Sequence, residues 1–409
     1  MDAPQMAAMV EACRLTRQGR LVEATALIQR TLTTPAVIRR APDAQCAGEE
    51  ASGASGRPLA SSPPLPARGG TLLRHIPSGW AHGLRNFPSR RASSLDLANG
   101  PATPAPAPAA KRPAGQFDAF SYTNAAGTRA YRLYVPTGGT GGRLPLVVML
   151  HGGTQDAASF AAATGMNDLA ERQKFLVVYP EQPSSANAGK YWNWFAPGHQ
   201  HRGAGEPSLI AGITRQAMDR YGVAATRVYV AGFSAGGAMA AVMAAVYPDL
   251  YAAVGVHSGL AYAAARDVPS AFAAMKQGPP RPAHPPAGPL PLIVFHGDRD
   301  TTVTHANAAC LIDHVLAAES QDRSLAAPPT AVTSSGQVPG GHAYTRTSYR
   351  GFTGVTLAEC WTIHQGGHGW SGGVPHRSYT DPRGPNASAE FIRFFDEHPA
   401  PDGREVLLV

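Results

Sequence analysis

From Phe117 onward, apolar runs of strand length alternate with stretches of helical periodicity, and this alternation restricts the fold more than any other feature of the chain. The runs are Tyr131 to Val135, Leu146 to Leu150, Phe175 to Tyr179, Val228 to Ala231, Ala252 to Val256, Leu292 to Phe295 and Cys360 to Ile363. Helical periods lie around 161–172, 209–221, 236–247, 306–316 and 387–395. A strand that is apolar along its whole length must be covered on both faces, and a parallel sheet between two helix layers meets that need. The expectation is one doubly wound, mostly parallel α/β domain over residues 117–409.

The first 116 residues follow different rules. Residues 1–32 read as a hairpin of two short amphipathic helices joined at Gly19, with Met6, Met9, Val10 and Cys13 on one stripe and Leu21, Ala24, Leu27 and Ile28 on the other. Such stripes pack on their own domain, on a second copy or on an apolar partner. Residues 33–116 hold 13 prolines among Ser, Ala, Gly and Arg, too little apolar surface to offset ordering, and read as a disordered linker. The whole net charge of +7 sits here: residues 1–116 carry 14 basic and 7 acidic side chains, the remaining 293 carry 21 of each. A neutral main domain argues against nucleic acid as partner. No apolar run reaches the about 18 residues of a membrane span.

The four cysteines, at 13, 46, 310 and 360, are too few and scattered for a disulfide scaffold, and none forms a Cys-x-x-Cys pair. Charged residues from Glu11 to Glu23 interrupt any secretory h-region. Both features set the expectation of a cytoplasmic protein.

Directly after the run at 228–231 comes Gly232-Phe233-Ser234-Ala235-Gly236, and a small-residue helix follows. A Gly-x-Ser-x-Gly between strand and helix is the pattern that holds a serine in a strained turn as a nucleophile; alone, it is also an ordinary glycine-rich turn. A serine hydroxyl needs a base and an orienting acid. The run at 292–295 leads into His296-Gly297-Asp298-Arg299-Asp300, and that at 360–363 into His364-Gln365-Gly366-Gly367-His368. Asp300 is preferred to Asp298, which reads as an Asx-turn residue beside the strand end. His368, in the glycine loop, is preferred to His364, which reads as structural. The i, i+4 histidine spacing suits a metal-binding helix, but the intervening glycines disfavour helix, so no metal and no cofactor is expected. Oxyanion donors are expected from the N–H groups of Ala235 and of Gly153, in the loop His151-Gly152-Gly153-Thr154-Gln155.

Together with Trp192-Asn193-Trp194-Phe195, Gly367-His368-Gly369-Trp370-Ser371-Gly372-Gly373 and Tyr379-Thr380-Asp381-Pro382-Arg383-Gly384-Pro385, these motifs resemble the esterase/polyhydroxybutyrate depolymerase family over about 117–395. The resemblance implies an α/β-hydrolase fold with Ser234 as nucleophile, His368 as base, Asp300 as its orienting acid, and Gly153 with Ala235 as oxyanion donors. The implied substrate is poly(3-hydroxybutyrate) or its oligomers, with the polymer granule surface as partner. Feruloyl or acetylxylan ester hydrolysis is the rival activity, and a non-catalytic granule-binding protein the rival class. Trp192, Trp194, Phe195 and Trp370 are candidates for meeting the aliphatic chain, against packing beneath a loop. Secreted relatives often carry two cysteines where this chain has Gly153 and Tyr191, so that bridge is absent here. The Ala- and Pro-rich stretch 261–291 is expected to form a lid near the site.

Overall fold

The computed structural model describes residues 115–139, 143–279, 290–321, 329–351 and 354–401. The expected hairpin at 1–32, and all of the expected linker except its last two residues, lie outside them. The strands and helices are β1 (Gln116–Asn124), β2 (Gly127–Val135), β3 (Leu146–Leu150), α1 (Ala157–Thr164), α2 (Met166–Gln173), β4 (Leu176–Pro180), α3 (Gly205–Tyr221), β5 (Val228–Phe233), α4 (Ala235–Val246), β6 (Ala253–His257), α5 (Val268–Gln277), β7 (Leu292–Gly297), α6 (Ala306–Gln321), β8 (Thr330–Gln337), β9 (Ala343–Arg350), β10 (Thr356–Ile363), β11 (Trp370–Ser371), β12 (Thr380–Asp381) and α7 (Ala387–Asp396).

One sheet runs in the order β1-β2-β4-β3-β5-β6-β7-β10-β9-β8. The six strands from β4 to β10 pair in parallel, and antiparallel strands flank them on both sides. Period-two alternation divides the core between the two faces. Val148, Val230 and Val294 pack with residues of α3 to α6, such as Ile210, Met239, Ala271 and Leu311. Val147, Tyr229 and Phe295 pack with α1, α2 and α7 through Phe160, Leu169 and Phe391. This is the doubly wound α/β-hydrolase fold.

Topology places the functional crevice. β4 lies on one side of β3 and β5 on the other, so the chain switches direction at β3 and the loops after β3 and β5 part there. In open α/β sheets such a switch point opens a crevice at the carboxyl ends of the strands. The loop after β3 is the His-Gly-Gly stretch, and the turn after β5 holds Ser234.

One expectation is revised. The single helix expected over 161–172 is two, because Gly165 takes the left-handed conformation (φ 63°), capping α1 and starting α2. Within the stretch 261–291, where a lid is expected, α5 docks beside the loop that follows Asp300: Thr304 N–H donates to Met275 O at 2.7 Å and Asn307 Nδ2 to Ala274 O at 3.0 Å. Residues 280–289 lie outside the described set.

Candidate active site

The turn at the end of β5 is built around backbone crowding. A side chain at Gly236 would come within 2.1 Å of Leu150 O, and one at Gly232 within 2.2 Å of Gly236 O, so glycine is required at both places. Between them Ser234 adopts φ 56° and ψ −119°, a conformation costing about 1–3 kcal/mol for a residue with a side chain. Its N–H donates to His257 O at 2.9 Å, which pins the turn to the end of β6.

Ser234, His368 and Asp300 come together. His368 Nε2 lies 2.9 Å from Ser234 Oγ, and its Nδ1 lies 2.7 Å from Asp300 Oδ2. Asp300 is buried, and its other oxygen accepts the N–H groups of Thr302 and Val303, both at 2.9 Å. Burial raises this carboxyl, but hydrogen bonding and charge from His368, the Val303 N–H and His296 outweigh it and hold it below the usual range. An ionised carboxylate only accepts, so the His368 proton sits on Nδ1 and Nε2 is left to accept from the serine hydroxyl. That arrangement can pull a proton from Oγ as it attacks an electrophile.

The Asx turn expected at Asp298 is found at Asp300 instead. Asp300 makes the Asx-type turn, through Thr302 N–H; Asp298 accepts from Gln365 N–H at 2.7 Å and lies 3.1 Å from His364 Nδ1. His364 is satisfied structurally between Asp298 and Thr345 Oγ1, the latter at 2.8 Å.

The loop after β3 is fixed from its buried side. His151 Nε2 accepts Gln182 N–H at 3.0 Å, so its Nδ1 carries the proton and donates to Gly152 O at 2.7 Å; burial pushes this histidine down to about 4. Gly152 N–H donates to Gln155 Oε1 at 2.9 Å and Thr154 N–H to Gly189 O at 2.7 Å. The N–H groups of Gly153 and of Ala235, the latter at the first turn of α4, have no acceptor among the described residues. Free donors at a helix N-terminus and in a glycine loop are suited to receive negative charge.

The aromatic candidates divide. Trp192 is fully buried, with Nε1 donating to His151 O at 3.1 Å, and Trp194 is buried beside half-buried Phe195. Trp370 is buried with Nε1 on Ser388 Oγ and its ring stacked 5.0 Å from His257. The three tryptophans are therefore corrected from substrate contacts to packing, and Phe195 keeps partial exposure.

Three features of the site lie outside the candidate site residues, and of these only Tyr379 falls within a sequence motif. Glu206, fully buried in α3, accepts from Asn193 N–H at 2.8 Å and from side chains of Asn193 and Gln182, fixing the Trp192 segment. His257 joins the serine turn to the histidine loop, accepting Ser371 N–H on Nε2 at 2.9 Å; burial holds it far below its ordinary value. Tyr379 is exposed, with its hydroxyl 3.1 Å from Thr154 Oγ1. Cys310 and Cys360 are free thiols, and burial pushes Cys360 up to about 11. Among the described residues no cluster of His, Cys, Asp and Glu could hold a metal ion, and no helix is long and apolar enough to cross a membrane.

Comparison with known proteins gives the same outline. Residues 129–321 match the family model described as Esterase PHB depolymerase. Poly(3-hydroxyalkanoate) depolymerase C of Paucimonas lemoignei is 35% identical over 250 residues, covering 58% of this chain and 57% of that protein. A probable acetylxylan esterase A of Neosartorya fischeri is 30% identical over 203 residues, 45% of this chain and 54% of its own length. The chain thus spans only about half the length of these relatives. In structure, an acetyl xylan esterase from Aspergillus awamori superposes with a TM-score of 0.52 at 20% identity, over 68% of this chain and 99% of its own.

Proposed function

We propose, from the premise that residues 129–321 belong to the PHB depolymerase family of esterases, that this protein is a serine esterase acting on poly(3-hydroxybutyrate) or its oligomers. The observation that carries the reading is the hydrogen-bonded line from Asp300 through His368 to Ser234. Ser234 Oγ attacks the ester carbonyl as its proton passes to His368 Nε2, and Asp300 stabilises the imidazolium. The N–H groups of Gly153 and Ala235 receive the oxyanion. Collapse of this intermediate expels the alcohol, which takes the proton from His368. Water, deprotonated by the same nitrogen, then attacks the acyl-serine and releases the hydroxy acid.

The polyester is favoured over a polysaccharide ester because the depolymerase relative matches a larger part of the chain. The test is a product assay comparing amorphous polymer, hydroxybutyrate dimer, methyl ferulate and acetylated xylan, with Ser234→Ala as blank. Release of 3-hydroxybutyrate that the blank lacks supports the reading. Turnover of ferulate or acetylxylan alone moves the substrate to plant polysaccharide, and no turnover by wild type removes the esterase reading. The free thiols at 310 and 360 suit a reducing compartment, and we place the enzyme in the cytoplasm at polymer granules, with residues 1–116 as tether. Recovery from culture medium on fractionation, or unchanged granule binding after deletion of 1–116, contradicts that placement or that tether respectively.

A further inference from the structure

Tyr191 is exposed, yet its ring is wedged between two glycines. A side-chain carbon at Gly153 would stand 2.0 Å from Tyr191 Cε1, and one at Gly189 would stand 2.3 Å from Cε2, so the two edges of the ring face the two glycines. At both positions the three nearest atoms belong to this ring. Neither glycine has the left-handed φ that would itself demand glycine. The segments are also tied by backbone, through Thr154 N–H to Gly189 O at 2.7 Å. Tyr191 is anchored in turn, its carbonyl accepting Gln182 Nε2 at 3.0 Å, while Gln182 N–H binds His151.

The oxyanion loop is thus restrained on its inner side by His151 and Gln155, and on its outer side by one aromatic ring. Two consecutive glycines have unusual backbone freedom. A donor stabilises a developing oxyanion well only if it is already aimed when the charge appears. An exposed ring filling the space of two missing side chains supplies that restraint without a covalent link. We propose that Tyr191 is a positioning residue that holds the Gly153 N–H in its donating orientation, an inference that rests on the serine esterase reading. Its effect acts in the transition state, so it appears in kcat more than in KM.

The test uses full-length protein, p-nitrophenyl butyrate turnover and inhibition by phenylboronic acid, whose tetrahedral serine adduct stands in for the intermediate. Removing an oxyanion donor outright costs about 10²–10³ in kcat, so loosening one through Tyr191→Ala is expected to lower kcat by about 10- to 100-fold. KM should stay within about threefold, boronate binding should weaken in parallel with kcat, and Tyr191→Phe, which keeps the ring, should recover most of the rate. Gly153→Ala alone drives a methyl group into the ring and should lose activity; Gly153→Ala with Tyr191→Ala gives that methyl room and should exceed the Gly153→Ala single variant several-fold. Wild-type kcat in Tyr191→Ala, a change confined to KM, or a double variant no better than Gly153→Ala overturns the proposal; if Tyr191→Ala does not fold, Gly189→Ala, whose methyl group displaces the intact ring, replaces it, and wild-type kcat there overturns the proposal. Failure of the esterase reading is distinct: wild type then turns over no ester and Ser234 takes up no boronate.

Discussion

Acid should destabilise this protein well above the range where carboxylates titrate. His151 and His296 are both fully buried, and burial pushes each down to about 4 from 6.5. Their hydrogen bonds fit the neutral form: His151 Nε2 accepts a backbone N–H, and His296 Nε2 donates to Val303 O at 2.9 Å. Above pH 6.5 both are neutral folded or unfolded, and their contribution to stability is constant. Below it the unfolded chain takes up protons that the folded chain refuses until about pH 4, so stability is lost as pH falls through that window. At pH 5 the linkage amounts to about 2 kcal/mol for each histidine, about 4 kcal/mol for the pair. Against a typical net stability of about 5–15 kcal/mol that loss is large. Asp300 and Asp156, both held below their usual range, make their own contribution only at lower pH. Urea unfolding followed by tryptophan fluorescence at pH 8, 7, 6 and 5 measures the effect. A free energy that falls by at least about 4 kcal/mol from pH 7 to pH 5, with uptake of at least about two protons, is expected, because buried His257, also held below its ordinary value, adds to the pair. A flat profile, or one rising toward pH 5, refutes the assignment of these buried histidines as neutral.

Three substitutions probe other parts of the account. Asp300→Asn keeps the shape but can present an N–H to His368 Nδ1; steady-state kinetics should show kcat lower by about 10⁴ with KM little changed. Trp192→Ala removes a fully buried ring, so calorimetry should show a loss of about 3–5 kcal/mol, whereas a raised KM with unchanged stability would restore Trp192 as a substrate contact. Gly236→Ala forces a methyl group onto Leu150 O and should leave no correctly folded enzyme; a soluble, active variant contradicts the crowding at the serine turn.

The central strands were legible because each is buried on both faces and so reads as an unbroken apolar run; Leu146–Leu150 starts and stops where the run does. Of the flanking strands, the buried half of β2 was read as a run, whereas β1, β8 and β9 escaped for the opposite reason. Thr330–Gln337 is exposed along nearly its whole length, and hydrogen bonding to a neighbour leaves no hydrophobic pattern in such a segment. The chemistry of the crevice was visible as residue types at strand ends, since Ser234, Asp300 and His368 each follow a strand whose position the apolar runs give. Their partners were not. Glu206 looks like any charged helix residue until folding buries it against Asn193 and Gln182. Tryptophans next to a motif suggest a binding surface, but whether a ring faces the crevice or the core depends on packing that spacing does not encode. Tyr191 illustrates the same limit, for its meaning lies in the space left by Gly153 and Gly189.

Covalent labelling addresses the central claim most directly. Treated with a fluorophosphonate at neutral pH and analysed by intact mass and peptide mapping, the protein should gain one adduct, on Ser234. The adduct should be absent from Ser234→Ala and form far more slowly in His368→Ala, because Oγ then lacks its base. Labelling of another residue, or equal rates with and without His368, would contradict the assignment of Ser234 as a nucleophile activated by His368.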